Sequence, residues 1–213
     1  MGSRGSAAAE FCNWRRVAIL AGLLCLVAGL LIWRCDPALD RAIHMTLLVQ
    51  PGAGLSRMLI GLTNLGGGTA MIPLGLGACA LLLWRGERGA ALWLFATVAS
   101  GRIVVEAAKH VFDRPRPPAG DWLTRVDSYS MPSSHSAGTM LTLLAICAAF
   151  GASARWRFAA LAFAVAIGAT RIVLGVHWPS DVLAGWGFAL LWMGAAIRWM
   201  PQASFSGVPY RPR

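Results

Sequence analysis

The apolar run VAILAGLLCLVAGLLIW, residues 17–33, contains no charged side chain. A helix of about 17–25 mostly apolar residues is long enough to cross the hydrocarbon core of a bilayer. Five further apolar runs follow along the chain, at residues 68–84, 89–108, 136–150, 158–174 and 181–199. The sequence therefore predicts an all-α fold in which six transmembrane helices form a bundle.

The composition agrees with a membrane protein. Hydrophobic residues make up 57% of the 213 residues, charged residues make up 13%, and the mean hydropathy is +0.59. Soluble domains carry about 25% charged residues, so this composition excludes an ordinary soluble enzyme. The net charge of +10 does not indicate a nucleic-acid partner, because much of it lies at the ends of the apolar runs.

The arginines predict the orientation of the bundle. If the N-terminus is cytoplasmic, ten arginines lie on the cytoplasmic side, in agreement with the positive-inside rule. We then expect a cytoplasmic N-terminal tail (1–16), a six-span domain (17–200) and a cytoplasmic C-terminal tail (201–213). The short loops favour a bacterial inner-membrane protein. The ten residues are Arg4, Arg15, Arg16, Arg85, Arg88, Arg155, Arg157, Arg198, Arg211 and Arg213.

The segment between the first two runs, residues 34–67, is too mixed in polarity to span a membrane. Leu39, Ile43 and Leu47 recur at helical spacing there, and Pro51 and Gly52 interrupt the pattern. We expect one or two short amphipathic helices at the membrane interface. The glycine triplet at 66–68 lacks the Lys-Ser/Thr pair of a phosphate-binding P-loop, and it predicts a bend before the second span.

Polar residues of three distant segments lie at the outer ends of the predicted spans. The first runs from Lys109, the only lysine of the chain, to Pro117; the second is Pro132-Ser133-Ser134-His135; the third runs from Thr170 to Asp181. The predicted topology brings all three to one face of the membrane. We therefore expect a single polar site on the outer, periplasmic side of the bundle.

These segments resemble the motifs of the phosphatidic acid phosphatase type 2 (PAP2) superfamily. The family's first motif is Lys, six residues, Arg-Pro, which matches Lys109 and Arg116-Pro117. Its second is Pro-Ser-Gly-His, which matches residues 132–135 with Ser134 in place of glycine. Its third is Ser-Arg, five residues, His, three residues, Asp, which matches Thr170-Arg171, His177 and Asp181 with threonine in place of serine. Both departures keep the groups needed to bind phosphate.

The residue types suit phosphoryl transfer, in which negative charge on the equatorial oxygens must be stabilised. Three cations, Lys109, Arg116 and Arg171, can bind these oxygens, the arginines bidentately. Ser133 and Ser134 can add donors at the N-terminus of a helix, where an anion is favoured. None of these groups requires a metal or another cofactor.

The resemblance implies the division of roles between the two histidines. His177 is the expected nucleophile, oriented by Asp181 four residues later, and His135 is the expected acid that protonates the leaving oxygen. Water activated by His135 would then hydrolyse the phosphohistidine. The expected substrate is a lipid phosphate or pyrophosphate, with undecaprenyl pyrophosphate, phosphatidylglycerol phosphate, phosphatidic acid and lipid A-type phosphates as candidates. The oligomeric state is left open by the sequence.

Two other functions are compatible with such a pocket. A haloperoxidase-like use of vanadate is disfavoured because those family members are soluble. A non-enzymatic anion-binding or lipid-transport protein is disfavoured because a mere binder does not need the His177–Asp181 pair.

Four further charged residues lie near the expected site. Arg114 and Arg125 could contact phosphate or a headgroup, or could be solvated loop charges. Arg102 and Glu106 lie four residues apart within the third run, and charges inside a membrane generally pair. We expect an ion pair between them; the alternative is a set of groups that supports Lys109.

Overall fold

The computed structural model describes the backbone of residues 2–49, 52 and 54–201, and the side chains from residue 13 onward. Within this part the chain forms eight α-helices and two short 3-10 turns, at Ala119–Asp121 and Ile197–Trp199. The helices are α1 (Gly2–Cys35), α2 (Pro37–Leu47), α3 (Gly54–Leu65), α4 (Gly68–Trp84), α5 (Arg88–Phe112), α6 (Ser134–Ala149), α7 (Ala154–Val173) and α8 (Pro179–Ala196).

The all-α expectation is confirmed, and five segments are long and apolar enough to cross a membrane. They are Asn13–Cys35, Gly54–Trp84, Arg88–Phe112, Ala154–Val173 and Pro179–Trp199. The remaining predicted span corresponds to α6, whose 16 residues are about 24 Å long at 1.5 Å per residue. This helix is shorter than the hydrocarbon core, so the count of six spans is not confirmed by helix length.

The structure describes part of the two expected tails. α1 begins at Gly2, so the N-terminal tail is helical and continuous with the first span. Residues 202–213, nearly all of the expected C-terminal tail, lie outside the part that the structure describes.

The segment between the first two spans forms two helices, α2 and α3. Asp36 begins α2 because its side chain accepts a hydrogen bond from the N–H of Leu39 at 3.0 Å, and Pro37 occupies the first turn. The predicted bend is present, since α3 ends at Leu65 and α4 begins at Gly68. α3 and α4 nevertheless join into one 31-residue apolar segment, Gly54–Trp84, so α3 is more than a surface helix.

The helices alternate in direction, which brings the end of α1, α5 and α7 to the same side as the start of α4, α6 and α8. α1 packs along α8, and α6 lies in the middle against α5, α7 and α8. The central position of α6 explains why most of its residues are buried. The end of the bundle at which these termini meet carries the polar segments described below.

Small residues allow α1 and α8 to approach closely. A Cβ atom added at Gly187 would lie 2.5 Å from the backbone nitrogen of Leu26 and 2.7 Å from the carbonyl oxygen of Gly22. Both distances are shorter than any real carbon contact, and backbone atoms cannot rotate away. This is the packing by small residues that holds membrane helices together in the absence of a hydrophobic force between them.

We expect the Gly187→Ala substitution to force α1 and α8 apart and to destabilise the protein by about 1–3 kcal/mol, the usual cost of overpacking. The Gly77→Ala substitution in α4 is the matched control, because a Cβ there meets nothing within 4 Å. Size-exclusion chromatography after heating in detergent measures the loss of monodisperse protein. Equal thermal resistance of the two variants would contradict the close approach.

Candidate active site

The three polar segments meet at one end of the bundle, as the sequence predicts. Lys109 lies in the last turn of α5, His135 in the first turn of α6, and Arg171 in the last turn of α7. His177 lies in the connection between α7 and α8, and Asp181 lies in the first turn of α8. All of them are buried except His135, which is half-buried.

A tight turn after α7 fixes the position of His177. Gly175 has φ +77, and a Cβ there would lie 2.0 Å from the carbonyl oxygen of Asp121, so both conformation and space require glycine. The turn folds back until the N–H of His177 donates to the carbonyl oxygen of Arg171 at 3.2 Å. Asp181 then accepts from the N–H of Trp178 at 2.8 Å, which fixes the carboxylate beside the histidine.

The two nitrogens of the His177 ring face different partners. Nε2 lies 3.1 Å from Nη1 of Arg116. Because a guanidinium can only donate, Nε2 must be the acceptor, and its lone pair therefore faces the cations of the site. The proton of the neutral ring is then on Nδ1, which faces Ser130 and Asp181. This tautomer is the one that a nucleophilic Nε2 requires.

Ser130 lies beside both His177 and Asp181. Its Oγ donates to Oδ2 of Asp181 at 2.5 Å and is 3.4 Å from Nδ1 of His177. Oδ2 of Asp181 is itself 3.5 Å from Nδ1, on the ring nitrogen that the expected orienting role of Asp181 requires. The carboxylate and the fully buried Ser130 hydroxyl therefore face Nδ1 side by side.

His177 is neutral at physiological pH. Burial, followed by the positive charges of Arg116, Arg171 and Lys109, lowers its pKa well below the usual value of 6.5. The same positive charges that would hold a phosphate therefore keep the Nε2 lone pair unprotonated.

The three expected phosphate-binding cations are held by neutral acceptors. Nζ of Lys109 donates to the carbonyl oxygen of Tyr129 at 2.7 Å, and Arg116 donates to the carbonyl oxygens of Ser128, Tyr129 and Val176 at 2.6–3.2 Å. Carbonyl oxygens are much weaker partners for a cation than carboxylates are. These two cations therefore retain most of their charge for an anion.

Arg171 lies deepest of the three cations. Its Nη1 donates to Oγ1 of Thr63, at the end of α3, at 3.1 Å. Its Nε is buried and has no hydrogen-bond partner. A buried guanidinium nitrogen without a partner is costly, and an anion in the site would remove that cost.

The two serines of the second motif hold the start of α6. Oγ of Ser133 caps the helix by accepting from the N–H of Ser136 at 3.4 Å, and the Ser133 N–H donates to the carbonyl oxygen of Asp181 at 3.0 Å. Oγ of Ser134 donates to Oε1 of Glu106 at 2.6 Å. Both serines stand beside His135 as expected, and phosphate binding by them stays a prediction.

Arg114 is not a solvated loop charge, because its guanidinium is committed to two carboxylates. It is buried, and its guanidinium forms salt bridges of 2.6 Å with Asp40 and 2.6 Å with Asp181. Asp40 also accepts from the N–H of Ser180 at 2.9 Å and from its Oγ at 2.5 Å. Arg125, for which the sequence left the same two alternatives open, is exposed.

Sequence analysis missed Asp40, Ser130 and Ser180 as members of the site. Asp40 lies in α2, which was predicted as an interfacial helix with no part in the site, and nothing local distinguishes its carboxylate. Ser130 lies two residues before Pro132 and could have been suspected from that position next to the second motif.

The expected ion pair between Arg102 and Glu106 is not among the salt bridges of the described side chains. Glu106 instead accepts from Ser134. Nε and Nη2 of Arg102 are buried without a hydrogen-bond partner, and its guanidinium lies against Gly138, where a Cβ would be only 3.0 Å from Nη2.

A cavity of about 580 Å³ opens beside the first motif. It is lined by Lys109 and Arg116 on one side and by the loop after Pro117, with Trp122 and Tyr129, on the other. The cavity at this loop therefore gives access to Lys109 and Arg116. Among the described residues, no three His, Cys, Asp or Glu side chains are grouped as metal ligands would be.

A family model described as the PAP2 superfamily matches residues 90–205 of the chain. The chain is 33% identical over 102 residues to a lipid A 1-phosphatase of Rhizobium etli, with 45% of this chain and 44% of that protein covered. It is 28% identical over 144 residues to an undecaprenyl-diphosphatase of Sulfolobus acidocaldarius, covering 63% and 65%. It is 25% identical over 189 residues to phosphatidylglycerophosphatase B of Bacillus subtilis, covering 84% and 91%.

The match to the lipid A 1-phosphatase thus spans less than half of that protein's length. A solved structure has a similar fold: the transmembrane PAP2-type phosphatidylglycerolphosphate phosphatase of Bacillus subtilis superimposes with a TM-score of 0.68. The sequences are 21% identical, and the superposition covers 93% of this chain and 96% of the other.

We expect the Arg114→Met substitution to destabilise the protein by about 3–5 kcal/mol, because it leaves two buried carboxylates without their shared cation. In a chain of this size that corresponds to a fall in Tm of roughly 10 °C. Arg125→Met is the matched control and should change Tm little, since Arg125 is exposed. Tryptophan fluorescence during heating in detergent measures both, and equal Tm values would contradict a structural role for Arg114.

Proposed function

The chain belongs to the PAP2 superfamily, and from this premise we propose that it is a membrane phosphatase that removes phosphate from a lipid phosphate or pyrophosphate. The observation that carries the proposal is the state of His177. Its ring is neutral, its Nε2 lone pair faces Arg116, and its Nδ1 faces a buried hydroxyl and carboxylate. A binding site for an anion has no use for an unprotonated nitrogen held in this way, whereas a nucleophile requires it.

The membrane topology forms part of the proposal. We assign α6 as the sixth span, because it is central and its neighbours α5, α7 and α8 all run the full length of the bundle. Both termini are then cytoplasmic, and the site lies at the periplasmic face of a bacterial inner membrane. The arginine distribution supports this orientation. A headgroup phosphate can enter the site there while the tails of the lipid stay in the bilayer.

The first step is phosphate binding by Lys109, Arg116 and Arg171. In the structure the carbonyl oxygen of Tyr129 accepts from Lys109 at 2.7 Å and from Arg116 at 3.2 Å. A phosphate oxygen that bonds to both cations takes the place of this carbonyl. The exchange also turns Nη1 of Arg116 from Nε2 of His177 to the phosphate, which frees the nucleophile when substrate is bound.

The chemical steps follow from the two histidines. Nε2 of His177 attacks phosphorus, and the bond between phosphorus and the leaving oxygen breaks. His135 is protonated when the bound phosphate offsets the positive charges of Arg171 and Arg116 around it, and it donates this proton to the leaving oxygen. Positive charge develops on the His177 ring, and the Ser130–Asp181 pair stabilises it through the Nδ1 proton. His135 then takes a proton from water, which attacks the phosphohistidine and releases phosphate.

The relatives support a lipid as the substrate class. Their names describe phosphatases of lipid A, undecaprenyl diphosphate and phosphatidylglycerophosphate. The shared chemistry is a phosphate on an amphiphile whose tails remain in a membrane, which suits a site at the end of a helical bundle.

The alternative function is a non-enzymatic protein that binds anions or transports lipids with the same pocket. The cations Lys109, Arg116 and Arg171 alone would be sufficient for such a protein. It differs from the proposal in needing neither an unprotonated Nε2 nor the buried Ser130 hydroxyl, so substitutions of His177 and Ser130 separate the two functions.

We expect His177→Ala to abolish phosphate release, by roughly 10³-fold or more, because removal of a nucleophile eliminates the covalent route. The assay uses a panel of lipid phosphates and pyrophosphates in detergent, with and without EDTA. Arg155→Ala is the control, since Arg155 is exposed in the first turn of α7, at the opposite end of that helix from Arg171. Turnover near the normal rate in His177→Ala would contradict the phosphohistidine, and a strict divalent-metal requirement would count heavily against it.

We expect Ser130→Ala to lower kcat about tenfold to a hundredfold, the effect of losing a buried hydrogen bond of 1–3 kcal/mol. KM should change little, because Ser130 faces His177 and Asp181 and not the cations that hold phosphate. The control is Ser153→Ala, which removes a serine that makes no capping hydrogen bond at the start of α7. A raised KM with an unchanged kcat would place Ser130 outside the chemistry.

A further inference from the structure

Arg102 is a half-buried cation next to the proposed centre, and two of its guanidinium nitrogens are buried with no hydrogen-bond partner among the described residues. We propose that it binds the phosphate that stays on the lipid when a lipid diphosphate is cleaved, and that lipid diphosphates are therefore the substrate class that this chain favours. The inference rests on the proposed phosphatase activity and adds the identity of the leaving group.

The guanidinium of Arg102 has only part of the compensation that such a group needs. Nε and Nη2 are buried and form no hydrogen bond within the described part of the chain, and Glu106, which attracts the guanidinium electrostatically, accepts its hydrogen bond from Ser134 at 2.6 Å. A desolvated arginine in a membrane protein is costly unless an anion pairs with it. In the described part of the chain no carboxylate forms a salt bridge with this cation, so an anion from outside the protein would complete the site.

Glycines make room at the guanidinium. A Cβ atom at Gly138 would lie 3.0 Å from Nη2 of Arg102, and one at Gly68 would lie 3.9 Å from Nη1. The neighbouring Gly67 is close to His135 in the same way: a Cβ atom at Gly67 would lie 3.3 Å from Nε2 of the His135 ring. Arg102 and His135 therefore face the same glycine turn at the start of α4, from adjacent residues of that turn.

This juxtaposition places Arg102 on the leaving-group side of the reaction. His135 is the proposed donor to the leaving oxygen, so the leaving group lies at Nε2 of His135 and hence beside the glycine turn. Arg102 is also the charged residue of an otherwise apolar cavity of about 270 Å³ between α4 and α5. A cation above an apolar cavity matches a leaving group that is itself an anion attached to a hydrocarbon.

The bond changes in a lipid diphosphate make use of this cation. Nε2 of His177 forms a bond to the terminal phosphorus, and the bond from that phosphorus to the bridging oxygen breaks. The electron pair stays on the bridging oxygen, which becomes an oxygen of the released lipid monophosphate. The lipid-side phosphate carries one negative charge in the substrate and gains more as the bond breaks, before the proton from His135 reaches the bridging oxygen. A lipid monophosphate substrate has no second phosphate, and its leaving group is an alcohol.

Arg102 should therefore act on turnover more than on binding. The charge on the lipid-side phosphate grows as the bridging bond breaks, so the attraction to Arg102 is stronger in the transition state than in the bound substrate. An interaction of this kind raises kcat.

The test compares Arg102→Met with the unmodified chain on two substrates that share one tail, farnesyl diphosphate and farnesyl monophosphate, in detergent. We expect kcat for the diphosphate to fall at least tenfold and kcat for the monophosphate to stay within about threefold. Arg102→Lys keeps a cation and should recover part of the loss. Arg57→Met, an exposed arginine of α3, is the matched control and should leave both rates unchanged.

The rate of each variant on the monophosphate reports whether the protein is folded. If Arg102→Met does not fold, Arg102→Lys replaces it in the comparison of the two substrates. Equal losses on both substrates would overturn the proposal and make Arg102 a structural residue. Unchanged rates on both would also overturn it. If the unmodified chain hydrolysed neither substrate nor any other lipid phosphate, the proposed function itself would fail, which is a separate outcome.

Discussion

The salt bridges of Arg114 to Asp40 and Asp181 hold the catalytic end of the bundle together. The three residues belong to α2, the loop after α5, and α8. The guanidinium stacks near the rings of Trp33 and Trp178, at 5.5 and 5.7 Å from their centroids. Because Oδ1 of Asp181 is committed to Arg114, only Oδ2 is left to face Ser130 and His177. The orientation of the proposed nucleophile thus depends on a cation that touches neither His177 nor the expected phosphate position.

The charges near the site fall into two groups with different partners. Asp40, Asp181 and Arg114 satisfy one another, and their net charge is negative and lies behind His177. Lys109 and Arg116, in front of His177, are paired with backbone carbonyls. Separation of this kind costs folding free energy, because buried cations without carboxylates are unfavourable. It leaves an anion site that is preorganised and that needs little rearrangement of charge when phosphate binds.

The all-α fold class and the grouping of the three polar segments follow from the sequence, because both depend on patterns along the chain. Apolar runs give five of the spans, and the spacing from Lys109 to Arg116 and from Arg171 to Asp181 identifies residues that the fold brings together. The sequence does not predict which residues of distant segments contact one another. Asp40 contacts residues about 75 and 140 positions away, and a carboxylate in a short amphipathic helix carries no local signal of such a role. Spacing alone likewise cannot show that the hydroxyl of Ser130 faces both Asp181 and His177.

α3 and the glycine turn after it connect membrane packing to chemistry. Thr63 in α3 accepts from Arg171, and the carbonyl oxygen of Gly66 accepts from Thr139 of α6 at 2.9 Å. A Cβ at Gly66 would lie 2.2 Å from Ile167, so the turn is wedged between α6 and α7. The C-terminal end of α3 and the turn after it therefore contribute directly to the site. The glycines thus let the backbone approach His135 and Arg102 closely, and any side chain there would fill the space that a leaving group needs.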